Sequence, residues 1–107
     1  MRVLLIGLLA LTGCNTTIRE MRDHPPRAIY VSKKSMPALE ECLADSLSWI
    51  ASPSIIRGEA TTSIALGSGG STALLVTLRP LPTGVEVAVR QLLVYGTRVR
   101  NNVQGCI

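Results

Sequence analysis

The chain has 107 residues with a formal net charge of +4, 47% hydrophobic residues, only 3% aromatic residues and no Phe. This is room for one domain, and a core of that size is marginal without a covalent staple. The scarcity of aromatics argues against a stacking platform for nucleic-acid bases. The mild basic excess suits lipid phosphates, lipopolysaccharide or acidic cell-wall polymers better than nucleic acid, or a merely solvated basic surface.

The N-terminus opens on Met1-Arg2, a positive start, and Val3 to Leu11 is apolar apart from Gly7. Thr12 and Gly13 are small, so charged, apolar and small-residue regions follow one another as in a secretory signal. The apolar run is shorter than the roughly 20 residues that a transmembrane helix needs. Leu11-Thr12-Gly13-Cys14 resembles the lipobox of bacterial lipoproteins. The resemblance implies that residues 1–13 are a signal peptide cut off before Cys14. It also implies that the Cys14 thiol carries a diacylglyceryl group and that the new amino group is acylated, usually with palmitate. The chemistry agrees, since a thiolate forms a thioether readily and two or more acyl chains anchor stably. Asn15 stands where Asp commonly retains Gram-negative lipoproteins in the inner membrane. The implied location is therefore the outer membrane, on its periplasmic face. The resemblance covers residues 1–14 and carries no activity with it.

Residues 14–27 read as the lipidated cysteine and a flexible tether, because Asn15 to Arg27 is polar, charged and broken by Pro25-Pro26. His24 falls in this stretch, where solvation is its expected state. Residues 28–107 read as one small α+β domain.

Ala28 to Val31 suits a short strand. Ser35 then caps a helix that tolerates Pro37 in its first turn. Met36, Leu39, Leu43, Leu47 and Ile50 recur at three- and four-residue steps and make one apolar stripe. Cys42 and Trp49 lie at its edge, and Glu40, Glu41, Asp45 and Ser48 take the opposite side. The pattern predicts a helix over about 36–51, ending before Pro53.

The remainder reads as β structure. Ala60 to Leu66 is β-prone, Gly67-Ser68-Gly69-Gly70 is a flexible connection, and Leu74, Val76 and Leu78 alternate within Thr72 to Arg79. Leu81-Pro82-Thr83-Gly84 suits a type I turn. Val85, Val87 and Val89 alternate after it, with a bulge expected near Gln91 and the strand continuing through Leu92 to Tyr95. A turn at 81–84 places Arg79 opposite Glu86, Leu78 opposite Val87 and Val76 opposite Val89, so charges meet charges and aliphatics meet aliphatics. A slip of one residue destroys both matches. The expected fold class is α+β: one amphipathic helix on an antiparallel sheet of three to four strands, with the tail tied back by a disulfide.

The tie follows from the cysteines. With Cys14 committed to lipid, Cys42 and Cys106 remain, and two cysteines in an oxidising compartment point to one disulfide. It would close a long loop, worth up to about 4 kcal/mol in the chain-entropy model. Free thiols, a zinc pair and an intermolecular bond are the alternatives.

The sheet face away from the helix carries Ala65, Ala73, Leu75, Thr77 and Ala88. Either the C-terminal tail covers it or it is a partner surface centred on Leu75 and Thr77. Arg98 and Arg100 fall on one side of an extended segment and could meet lipid phosphates or an acidic partner.

No catalytic constellation emerges. Gly67 to Thr72 lacks the Lys of a phosphate-binding P-loop and sits between strands. Glu40 and Glu41 diverge on their helix, and Glu59 and Glu86 have arginines to pair with. A serine triad would need His24, and Cys42 as a nucleophile would forgo the disulfide. The expectation is a non-enzymatic lipoprotein with no cofactor and no metal, anchored through its lipid and acting by contact with an envelope protein. The alternatives are a periplasmic ligand-binding or inhibitory module, directed at an anionic envelope ligand or a cell-wall hydrolase, and a small lipoprotein of a secretion or conjugation apparatus.

Overall fold

A computed structural model of the protein describes residues 17–68, 71–91 and 96–107. The lipobox residues Leu11 to Cys14 and the apolar Leu92 to Tyr95 lie outside the described residues. In chain order the elements are α1 (Ile18–Asp23), β1 (Ala28–Ser32), α2 (Met36–Ser46), β2 (Ser54–Arg57), β3 (Thr62–Ser68), β4 (Ser71–Leu81), β5 (Gly84–Gln91) and α3 (Gly96–Cys106).

The strands form one antiparallel sheet in the order β1-β5-β4-β3-β2. The fold class is α+β, as the sequence implies, but with five strands in place of three to four. The central hairpin has the register that residue matching predicts: Arg79 opposite Glu86, Leu78 opposite Val87 and Val76 opposite Val89. Leu81 pairs with Gly84 across Pro82-Thr83. The β4–β5 ladder stays in step as far as Leu74 and Gln91. No bulge precedes Gln91, and the stretch just beyond it lies outside the described residues; the β3–β4 pair has an irregularity between Leu66 and Gly67. Gly67 is needed there, because a Cβ at this position would collide with the Ser71 backbone.

β2 is the strand that the sequence conceals. Its four residues are all exposed, so no in–out alternation marks it. It is an edge strand, secured by pairing with β3 and by an ion pair from Arg57 to Glu40 of α2 at 3.0 Å. Glu40 is accordingly buried and is not part of a solvated helix face.

One sheet face carries the main core. From the strands come Ile64, Leu66, Leu74, Val76, Leu78, Val85, Val87 and Val89, and α2 adds Leu39, Leu43 and Leu47. Ser35 caps α2 as expected, its hydroxyl accepting from the Ala38 N–H at 3.3 Å. The helix stops at Ser46 and does not run to residue 51. The Ser48 hydroxyl donates to the Asp45 carbonyl at 2.7 Å, and Asn102 Nδ2 donates to the Ser46 carbonyl at 3.0 Å. These donors take carbonyls that another helical turn would have used.

α3 replaces the extended tail. Val99, Val103 and Cys106 fall at steps of four and three residues on one helix face, and all three are buried in the core. Cys106 is joined to Cys42, with their Cα atoms 5.7 Å apart. The disulfide is intramolecular and ties α3 to α2. The C-terminal Ile107 carbonyl accepts from Ser32 Oγ at 3.1 Å, so the chain end also closes onto β1.

Candidate functional site

The second sheet face bears on the site. The expected cover, the C-terminal tail, is on the other side with the main core. α1 takes its place, folded from part of the stretch that reads as tether. Thr17 caps α1, accepting from the Glu20 N–H at 3.2 Å. Met21 is completely buried and forms a small separate core with Ala65 and Leu75, flanked by Ile18. Arg22 donates to Ser63 Oγ at 3.0 Å. The His24 carbonyl accepts from Arg90 Nε at 2.8 Å, and the His24 side chain is exposed.

Leu75 is therefore no partner surface: it is fully buried under Met21. Its apolar character on an otherwise pale face records the docking of α1. Thr77, two residues on, is half-buried, and its Oγ1 is enclosed with no hydrogen-bond partner.

α1 is too short to cover the whole face. In β1, Ala28 and Tyr30 pack against the main core, so alternation turns Ile29 and Val31 to the α1 side. There Ile29 is 56% and Val31 58% exposed. β1 pairs with β5 on one side only, so its other edge has no strand beside it among the described residues. Ala28–Ser32 contains no charged residue and no proline, the usual guards of a free edge. Arg27 before it and Lys33-Lys34 after it are exposed cations.

Arg98 and Arg100 do not act together. Two residues apart on a helix, they point about 200° away from each other. Arg98 lies over the Trp49 ring with its guanidinium carbon 3.9 Å from the centroid, an intramolecular cation–π contact. Arg100 is turned toward β1, where it shares the lining of a cavity of about 300 Å³ with Arg27, Tyr30 and Val89. The sequence signal for this split was present in the helical spacing of Val99, Val103 and Cys106, which the alternating arginines obscured.

Among the described residues, no group of three or more His, Cys, Asp or Glu side chains could hold a metal ion. No helix among them is long and apolar enough to cross a membrane. Glu86 is held by Arg79, whose Nε donates to it at 2.7 Å. No protein-family model, curated protein or solved structure matches this chain at a significant level.

Proposed function

We propose that this chain is a lipid-anchored, non-enzymatic lipoprotein that acts by contact with another envelope protein on the periplasmic face of the outer membrane. The anchor is the lipid carried by Cys14 of the lipobox. A disulfide between Cys42 and Cys106 is in keeping with an oxidising compartment.

The position of α1 refines how the anchor works. Ile18 lies four Cα steps beyond Cys14, at most about 14 Å of extended chain. Since α1 is packed on the sheet, the domain is held against the bilayer surface and not at the end of a long leash. Such confinement raises the effective concentration of a membrane partner without a large interface.

The observation that carries the contact is the β1 edge, which has no strand beside it among the described residues, with Ile29 and Val31 exposed there. A partner segment that adds as a strand would satisfy the outward backbone groups of β1 and cover both aliphatics. The flanking Arg27, Lys33 and Lys34 favour a segment with carboxylates at its ends.

The test is in-cell cross-linking of the full-length protein, followed by affinity capture and mass spectrometry. Cys14→Ser and Ile29→Asp/Val31→Asp are run beside it. The expected result is one enriched envelope protein, lost with the anchor and lost with the charged edge. Capture that is indifferent to both changes would remove the reading. Failure of Cys14 to incorporate an alkyne-labelled palmitate analogue would remove the anchor on its own.

A further inference from the structure

We propose that the cavity between α3 and the β1–β5 edge binds one anionic glycerophospholipid drawn from the membrane. Its volume is about 300 Å³, at the lower end of the range for small-molecule sites. The wall is hydrocarbon: Ala28 and Tyr30 from β1, Val89 from β5, and Val99 and Val103 from α3. An acyl chain entering it would exchange water or lipid for a matching apolar surface.

The polar groups are few and of definite kind. Arg27 and Arg100 reach the cavity from separate elements, and neither is ion-paired with another described residue. Two arginines at one cavity match a phosphate diester, which accepts bidentate hydrogen bonds from arginine. Gln91 also lines the cavity, with its Oε1 buried and closed to a ligand. Hydrocarbon and phosphate together describe a phospholipid, and two arginines with no anionic partner among the described residues favour one whose headgroup adds no positive charge. A fatty acid lacks the phosphate diester, and inorganic phosphate lacks the chain.

The strand register puts this cavity where such a ligand is available. Ala28 at the start of β1 pairs with Val89 near the end of β5, and Gln91 at that end pairs with Leu74 near the start of β4. Thr17 and Ile18, which lead back toward Cys14, lie in a hollow with Ser71 and Thr72 at the same start of β4. The cavity and the approach to the anchor therefore share one end of the sheet. That this end faces the bilayer rests on the anchored reading above; the chemistry of the cavity does not.

The experiment uses the full-length protein extracted in a neutral detergent. Native mass spectrometry follows its titration with dioctanoyl phosphatidylglycerol, dioctanoyl phosphatidylcholine, octanoate and inorganic phosphate. The expected result is one bound phosphatidylglycerol, held at least about tenfold more tightly than the other probes. Arg27→Gln/Arg100→Gln should weaken it by at least about tenfold while the melting temperature stays unchanged. Thr97→Trp, an exposed substitution at the rim, should block binding. Equal binding by the double-glutamine variant, or octanoate, phosphate or phosphatidylcholine binding as tightly as phosphatidylglycerol, would overturn the proposal. The assay needs no anchor, so tight phosphatidylglycerol binding alongside absent palmitate labelling would sink the anchored reading and leave the site.

Discussion

Met21 lies against Leu75 on the sheet face away from the main core, and both side chains are fully buried. The contact joins the segment that follows Cys14 to the centre of the domain. A displacement of α1 is therefore felt directly at β4. A six-residue helix is not stable alone, so this packing, with the Arg22–Ser63 and Arg90–His24 hydrogen bonds, is what keeps it formed.

Met21→Ala should therefore cost about 2–5 kcal/mol, the range for truncating a buried Met, measured by urea unfolding. Amide hydrogen exchange should speed up over 18–23 and at the β4 amides around Leu75. A change under about 0.5 kcal/mol, the size of an ordinary surface substitution, would mean that α1 does not hold the sheet in solution.

Cys106→Ser should cost about 2–5 kcal/mol, as the loss of a native disulfide in a small secreted domain typically does. The bridge spans 64 residues and joins the two helices that cover the core. A fall in melting temperature of at least about 10 °C is expected, and reduction of the wild type should reproduce it. An unchanged melting temperature on reduction would show that α2 and α3 hold together through Val99, Val103 and the Asn102–Ser46 hydrogen bond alone.

Gly84→Ala should destabilise by about 1 kcal/mol or more. Gly84 has φ +155°, and a Cβ there would run into the Ser32 carbonyl. The damage should be local, loosening the end of β1 where Ser32 pairs with Val85. Hydrogen exchange at Val31 and Ser32 that remains as slow as in the wild type would contradict this.

Arg98→Ala should cost about 0.5–1 kcal/mol, the usual worth of a partly exposed cation–π pair. Trp49 is the single tryptophan of the chain, so its fluorescence reports the contact directly. Emission should move to longer wavelength as the guanidinium cover is lost, and Arg98→Lys should restore part of it. Emission unchanged in Arg98→Ala would mean that the arginine does not sit over the ring in solution.

Much of the fold was legible where structure is local. The register of β4 and β5 could be read because a short turn brings Arg79 to Glu86 and Val76 to Val89, and mismatched pairings cost energy at every position. α2 was legible in its stripe and its Ser35 cap. β2 was not, because an edge strand whose residues are all exposed has no burial pattern to display. α1 was not, because one buried methionine among polar residues looks the same in a helix and in a linker.

The sequence by itself determined the α+β class, the central hairpin register, the capped start of α2, and the cysteine pair left to bridge once Cys14 is set aside. Each follows from periodicity, turn chemistry or residue arithmetic within short reach along the chain. Only the tertiary structure decided that α1 covers Leu75, that Glu40 is buried against Arg57, that Arg98 and Arg100 part company, and that Arg27, Arg100 and Gln91 meet around one cavity. Those outcomes depend on which surfaces far apart in sequence bury one another, and a side chain's neighbours across a sheet are set by packing rather than by its own pattern.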